Sequence, residues 1–77
     1  MLDISDLEAR VRNTIKDADV VVDTDGYYYN FKVVSGSFDG LNQVKRQQMV
    51  YAALNDLIAD GSLHAVNIKT QTPEESG

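Results

Sequence analysis

The chain has 77 residues and no cysteine, and this combination constrains its fold more than any single motif. A domain this small buries only about 60% of the surface that its unfolded chain exposes, and small domains often compensate with disulfides or a structural metal. Without cysteine, the chain has no disulfide, no thiol nucleophile and no thiolate metal ligand of its own. Because 43% of its residues are hydrophobic, we expect one packed core. The composition is compatible with a monomer and with a homodimer.

Apolar periodicity predicts the element order helix, strand, strand, helix, strand. Asp25 and Gly26 form a turn signal between the first two predicted strands, which indicates an antiparallel hairpin. Asn42 is placed to cap the second helix, and Gly61 to end it. The predicted helices cover residues 4–17 and 42–60, and the predicted strands cover residues 19–23, 27–35 and 63–70.

The helix between the second and third strands allows a parallel crossover. The predicted fold is therefore α+β, with a three-stranded mixed sheet covered by helices on one face. The predicted single domain covers residues 2–72, and Pro73 is expected to end regular structure, which leaves residues 73–77 as a flexible C-terminal tail. The sheet residues Tyr29, Phe31 and Val33 are expected to pack against Val11, Ile15, Leu54 and Ile58.

The net charge of −5 argues against a dedicated nucleic-acid binder, because phosphate contacts need a basic field. Lys45 and Arg46, early in the second predicted helix, are the candidate phosphate contacts; the alternative is that both lie on a solvated helix face. No apolar run approaches the ~20 residues of a membrane span, and the N-terminus shows no signal-peptide pattern. We therefore expect a cytoplasmic protein with no membrane partner.

Candidate chemistry centres on His64, the single histidine. A lone histidine between Leu63 and Ala65 in a strand is either a packed residue with one hydrogen-bond partner or a metal ligand. No acid–base pair or catalytic triad can be assembled around it, so an enzyme is not expected. The glycine loop at residues 36–40 lacks the Gly-Lys-Ser/Thr ending of a phosphate-binding loop and predicts a structural turn. The tyrosines at residues 27–29 fit either strand packing or base stacking.

Several of these residues together resemble the BolA family. The matching segments are Val34–Leu41 with its Phe38-Asp39-Gly40 turn, Val44, Arg46, Val50-Tyr51, Leu54, Leu63–Ile68 and Thr72-Pro73-Glu74. The Phe38 turn and the segment from Val44 to Gln48 are most similar to the short, IbaG-like bacterial branch. The resemblance implies a fold similar to the class II KH domain, α-β-β-α-β, with the final helix of the family missing or reduced to a turn. The spacing Gly36-x-x-x-Gly40 departs from the KH Gly-x-x-Gly clamp.

The resemblance also implies a function. In this family the protein is a non-catalytic adaptor that pairs with a monothiol glutaredoxin and shares a [2Fe–2S] cluster, with no cofactor of its own. The glutaredoxin brings a cysteine and glutathione, and the BolA-like partner brings a histidine that matches His64. A second ligand, His or Cys, is often found where this chain has Tyr28, so Tyr28, Asp23 and Asp25 are the weaker candidates.

The alternative function that the resemblance implies is a DNA-binding transcriptional regulator of stress and morphology genes. Lys45 and Arg46 would lie on its DNA-binding face. The acidic net charge is the sequence feature against this alternative.

Overall fold

A computed structural model describes residues 2–77. Strands β1 and β2 pair antiparallel, β2 and β3 pair in parallel, and the strand order is β1-β2-β3. This confirms the predicted α+β fold with a mixed three-stranded sheet. The elements are α1 (Ile4–Thr14), β1 (Asp19–Thr24), β2 (Tyr29–Val34), a 3₁₀ turn (Gly36–Phe38), α2 (Gln43–Ala59), β3 (Val66–Gln71) and α3 (Pro73–Ser76).

The core lies between α1 and α2 on one side and a single face of the sheet on the other. The predicted packing is confirmed: Phe31 and Val33 of β2 are buried in one cluster with the helix residues, and Tyr29 and Ile58 are partly buried against it. The buried hydrophobic side chains of the two helices are Leu7, Val11, Val50, Ala53 and Leu54. Within residues 2–77, no helix has the length and apolar character needed to cross a bilayer.

A side-chain cap lies at the start of each long helix, and the cap at Asn42 confirms the prediction. The side chain of Asp3 accepts a hydrogen bond from the Ser5 N–H at 2.9 Å, and Oδ1 of Asn42 accepts one from the Lys45 N–H at 2.9 Å. Each satisfies a backbone donor that has no partner within its helix. Gly61 follows α2 with φ +82, the left-handed conformation that ends many helices.

The first helix ends at Thr14 rather than at residue 17 as predicted, because the chain needs these residues to turn into β1. Ile15 is extended (φ −119, ψ 93), and the Asp17 carboxylate accepts hydrogen bonds from the hydroxyls of Ser35 (2.6 Å) and Ser37 (3.1 Å). Asp17 therefore ties the α1–β1 connection to the 3₁₀ turn. Periodicity alone does not detect a partner eighteen residues away.

The prediction that Pro73 ends regular structure is wrong, because residues Pro73–Ser76 form α3. Thr72 caps this turn: its hydroxyl accepts from the Glu75 N–H at 3.2 Å, and the Glu75 carboxylate accepts from the Thr72 N–H at 2.9 Å. Proline is well suited to the first helical position, where its missing N–H would have no partner within the helix. The Thr-x-x-Glu spacing is a capping box, so the signal was present in the sequence.

Candidate functional site

His64 lies in the loop between α2 and β3, not in the third strand as predicted. Strand β3 begins only at Val66, because the residues after Gly61 fold back on the helix end. The Leu63 N–H donates to the Leu57 carbonyl at 3.0 Å, and the Leu63 side chain is fully buried. His64 is exposed, so the interpretation of a packed strand histidine is wrong.

The His64 imidazole is oriented by the helix end. Its Nδ1 lies 3.2 Å from the Gly61 carbonyl oxygen. A carbonyl oxygen can only accept a hydrogen bond, so this contact requires the proton on Nδ1 and leaves the lone pair of the neutral ring on Nε2. Metal-binding histidines use this arrangement, in which a backbone carbonyl fixes the tautomer and the other nitrogen ligates.

The start of β2 lies beside this histidine. The Tyr29 N–H donates to the Ala65 carbonyl at 2.8 Å, which places the His64–Ala65 segment next to Tyr28 and Tyr29. The Asp25 N–H donates to the Tyr28 carbonyl at 3.3 Å across the hairpin turn. The structure therefore brings His64, Tyr28 and Asp25 to the same end of the sheet.

Two of the weaker candidates have structural partners. Oδ1 of Asp25 accepts hydrogen bonds from the Tyr27 and Tyr28 N–H groups at 2.9 and 2.8 Å, and these bonds lower the pKa of Asp25. Asp23 lies on β1, where its Oδ1 accepts from the Asn30 amide at 2.9 Å. The Asp25 carboxylate is thus ionised and holds the turn, while Asp23 belongs to the sheet.

Two exposed tyrosines at the hairpin tip are a feature that the sequence analysis missed. Tyr27 and Tyr28 are 64% and 44% exposed, and their rings meet edge to face with centroids 4.9 Å apart. The turn itself was predicted, but the predicted second strand began too early, at Tyr27. The N–H groups of Tyr27 and Tyr28 bind the Asp25 carboxylate, so both residues belong to the turn and β2 begins at Tyr29. The hairpin tip therefore presents aromatic surface beside His64.

The chain does not supply a complete metal site within its described residues. In residues 2–77, no group of three or more His, Asp or Glu side chains is placed to hold a metal ion, and the sequence has no cysteine. His64 can fill one coordination position through Nε2. Any cluster bound here needs its remaining ligands from another molecule.

Arg46 is not on a solvated helix face, contrary to that part of the prediction. Its side chain is buried, with the guanidinium 6.0 Å from the centroid of the Phe38 ring. Nε donates to the Leu41 carbonyl at 2.9 Å, while Nη1 and Nη2 donate to the Glu75 carboxylate at 2.7 and 3.2 Å. The hydrogen bonds that Arg46 donates to the Glu75 carboxylate raise the pKa of Arg46. Of the two candidate phosphate contacts, only Lys45 is exposed.

The two predicted sites lie at opposite ends of α2. This helix has 17 residues, which corresponds to a length of about 25 Å. Lys45 and Arg46 lie in its first turn, and His64 contacts Gly61 just beyond its last turn. The structure therefore separates the candidate metal ligand from the candidate nucleic-acid contacts.

These observations define a KH-like α+β domain with a single exposed imidazole at the end of its mixed sheet. The chain belongs to the BolA family, because the family model described as "BolA-like protein" matches residues 2–75. It is 38% identical over 71 residues to the acid stress protein IbaG of Escherichia coli (strain K12), which covers 92% of this chain and 84% of IbaG. The resemblance to BolA proteins is thereby confirmed.

Solved structures agree with this assignment. BolA1 from Arabidopsis thaliana superimposes with a TM-score of 0.81 at 29% identity and covers 100% of both chains. The BolA domain of SufE1 from Arabidopsis thaliana gives a TM-score of 0.82 at 26% identity, covering 97% of this chain and 99% of that one.

Stability is expected to fall in acid, because four carboxylates have lowered pKa values in the folded protein. A lowered folded-state pKa stabilises the fold above the unfolded-state pKa, and this contribution disappears as the pH falls through the folded-state pKa. The leading cause in each case is a hydrogen bond: from the Ser35 side chain to Asp17, from the Tyr27 N–H to Asp25, from Ser62 to Asp60 and from Arg46 to Glu75.

Urea unfolding followed by circular dichroism between about pH 6 and pH 3 measures this dependence. The midpoint should begin to fall near the ordinary values of 4.5 for Glu75 and 3.8 for Asp17 and should continue to fall below them. The Glu75→Gln variant should show a shallower decline, since it has one carboxylate fewer to protonate. A midpoint that stays constant or rises over this interval would contradict the assignment.

Proposed function

We propose that the protein is a non-catalytic adaptor that pairs with a monothiol glutaredoxin and takes part in binding or trafficking a [2Fe–2S] cluster. His64 is its single ligand to the shared cluster. The observation that carries this proposal is the exposed imidazole whose Nδ1 faces the Gly61 carbonyl at 3.2 Å, which keeps Nε2 free for a metal. Membership of the BolA family supports the same function, because the family resemblance implies this pairing.

The donor chemistry favours His64 over the weaker candidates. Iron–sulfur clusters are bound by thiolates and in some centres by imidazole, whereas Tyr28 offers a phenol and Asp25 a carboxylate already engaged by two N–H groups. The partner's cysteine and glutathione would supply the thiolates that this chain lacks. When bound, the cluster serves as an electron carrier or as cargo for transfer.

The hairpin tip is the part of the site that we assign to partner contact. Tyr27 and Tyr28 are exposed, and Tyr28 lies beside the His64 segment. Aromatic residues are enriched in protein interfaces, where they bury a large area at low entropic cost. Binding of the glutaredoxin through this surface would bring its thiolates to the same end of the sheet as Nε2 of His64.

Mixing this protein with a cluster-loaded monothiol glutaredoxin should change the visible absorption and circular dichroism of the cluster. The His64→Ala variant should abolish the change, because the neutral imidazole no longer replaces a thiolate. The same variant should have a much smaller effect on the affinity of the two proteins in the absence of a cluster, since that contact depends on the protein surface. The reduction potential should be higher with wild type than with His64→Ala, in the direction seen when histidines replace cysteines at Rieske centres.

The matched control is Asp25→Asn, whose side-chain oxygen can still accept from the turn N–H groups. It should leave the cluster spectrum unchanged, because the assigned role of Asp25 is structural. Identical spectra for wild type and His64→Ala would refute His64 as a ligand. If Asp25→Asn abolishes the spectral change and His64→Ala retains it, the Asp25 carboxylate is the ligand instead of His64.

DNA binding is the alternative function, and it has less support. Arg46 is committed to Glu75, so Lys45 alone remains of the two candidate contacts. Titration with duplex DNA across a range of salt concentrations tests it, because each neutralised phosphate contributes about −0.9 to the slope of log affinity against log salt. The absence of binding at low salt would exclude this function for the isolated protein.

A further inference from the structure

The sheet has a second, polar face that is not packed in the core. We call it the outer sheet face, and it comprises Val21, Asp23, Asn30, Lys32, Asn67 and Lys69. These side chains alternate with the buried ones along each strand. They line a groove of about 360 Å³, to which Phe31 and Ile68 also contribute. Val21, at 59% exposure, shows how open this face is within the described structure.

Two lysines lie side by side on the outer sheet face. Lys32 of β2 and Lys69 of β3 are register partners, so their backbones are about 4.8 Å apart. Among residues 2–77, no acidic side chain forms an ion pair with either of them. Like charges at neighbouring positions on paired strands are destabilising, so this chain keeps an uncompensated pair of cations although its net charge is −5.

A row of hydrogen-bonded polar side chains runs next to the lysines. The Asn67 amide donates to Oδ1 of Asn30 at 3.1 Å, and the Asn30 amide donates to Oδ1 of Asp23 at 2.9 Å. This row crosses all three strands and fixes the orientation of both amides. Each Nδ2 retains a second N–H, and the Asn67 carbonyl oxygen remains available as an acceptor, so the row can bind peptide groups.

We propose that the outer sheet face is a docking site for an acidic protein segment, distinct from the His64 site. Two carboxylates of the segment would pair with Lys32 and Lys69, and its backbone would bind the amides of Asn30 and Asn67. Charge complementarity identifies this occupant: the site offers two neighbouring cations, and neither forms an ion pair within residues 2–77. The face is polar, as expected for a transient interface rather than an obligate one.

Nucleic acid fits this face less well than an acidic segment. The outer sheet face carries only two cations and includes the anionic Asp23, and Asp19 lies on the same strand, β1. None of the six side chains that define it is aromatic, whereas single-stranded nucleic acids are bound through stacking as well as phosphate contacts. An acidic segment can pair two carboxylates with the lysines. A nucleic acid would also bring additional phosphates close to the aspartates, which repel them.

The two proposed sites are formed by different residues. His64 lies in the loop that precedes β3, whereas the groove lies across the middle of the three strands. An adaptor with the proposed function would then bind its glutaredoxin at the end of the sheet and a second protein on the sheet face. This inference goes beyond the proposed function and does not depend on the cluster.

Titration of ¹⁵N-labelled protein with acetylated hexaglutamate, followed by amide chemical shifts at low salt, tests the proposal. Shifts should concentrate at Val21, Lys32 and Lys69 and should decrease with added salt. The K32E/K69E double variant should weaken binding by at least about tenfold. The matched control K16E/K45E makes the same charge change at exposed lysines outside the face, so its loss should be several-fold smaller.

Several results would overturn this proposal. Equal losses in the two double variants, or shifts spread evenly over the surface, would mean that the peptide responds only to net charge. Tighter binding of an oligothymidine at the same residues would assign the face to nucleic acid, and concentration-dependent shifts without peptide would assign it to a second copy of the chain. The spectrum with cluster-loaded glutaredoxin should be unchanged in K32E/K69E, so failure here is distinguishable from failure of the proposed function.

Discussion

Replacing Phe38 with alanine is expected to lower the free energy of unfolding by about 3–5 kcal/mol. The side chain is fully buried although it comes from a three-residue 3₁₀ turn, and the Arg46 guanidinium lies 6.0 Å from its ring centroid. The substitution therefore leaves a cavity and removes the ring beneath a buried cation. The family's Phe-x-Gly turn is explained by packing: Phe38 fills the core, and Gly40, at φ +79, reverses the chain.

Chemical denaturation with urea measures this loss, and Val44→Ala provides the control. Val44 is 64% exposed at the start of α2, so its truncation should change stability by no more than about 0.5 kcal/mol. A domain of this length has a total stability of roughly 4–12 kcal/mol, so Phe38→Ala should remove a large part of it. A loss similar to that of Val44→Ala would show that the turn is not anchored in the core.

Leu54→Ala is the second large effect, with an expected loss of about 2–5 kcal/mol. Leu54 is fully buried in the middle of α2 and belongs to the same cluster as Phe31 and Val11. Its truncation removes a contact between the helix and the inner face of the sheet, and alanine leaves helix propensity intact. The effect should therefore report packing alone.

The neighbouring Asn55→Ala variant is the control for Leu54, because Asn55 is exposed on the same helix. Its change in stability should stay within about 0.5 kcal/mol. A loss below about 0.5 kcal/mol for Leu54→Ala would mean that the buried face of α2 had been assigned incorrectly.

The sequence predicted the elements whose stability depends on local patterns. The Asp25-Gly26 turn signal predicted the hairpin. Asn42 and Gly61 predicted both ends of α2 to within one residue, because caps and turns depend on nearby side chains. The buried face of β2 followed from alternation around Phe31. The helix between the second and third predicted strands allowed a parallel crossover, and the structure shows that parallel β2–β3 pairing.

Features that depend on distant contacts were beyond such patterns. Arg46 is buried because Glu75, twenty-nine residues later, binds it, and no local rule distinguishes it from Lys45. His64 leaves the predicted strand because Leu63 folds back onto Leu57. For Arg46 a tertiary ion pair determined the burial, whereas for His64 a hydrogen bond at the end of α2 outweighed the alternation of the predicted strand.

The strand order has a consequence for how the protein is made on the ribosome. The central strand β2 obtains its second neighbour only from β3, at Val66–Gln71 near the C-terminus. Until those residues leave the exit tunnel, the nascent hairpin presents one unpaired edge of β2, and the loop that orients His64 has no strand to lead into. Folding of the sheet should therefore be completed only after β3 has left the exit tunnel, and the end of the sheet beside His64 should be among the last parts to form.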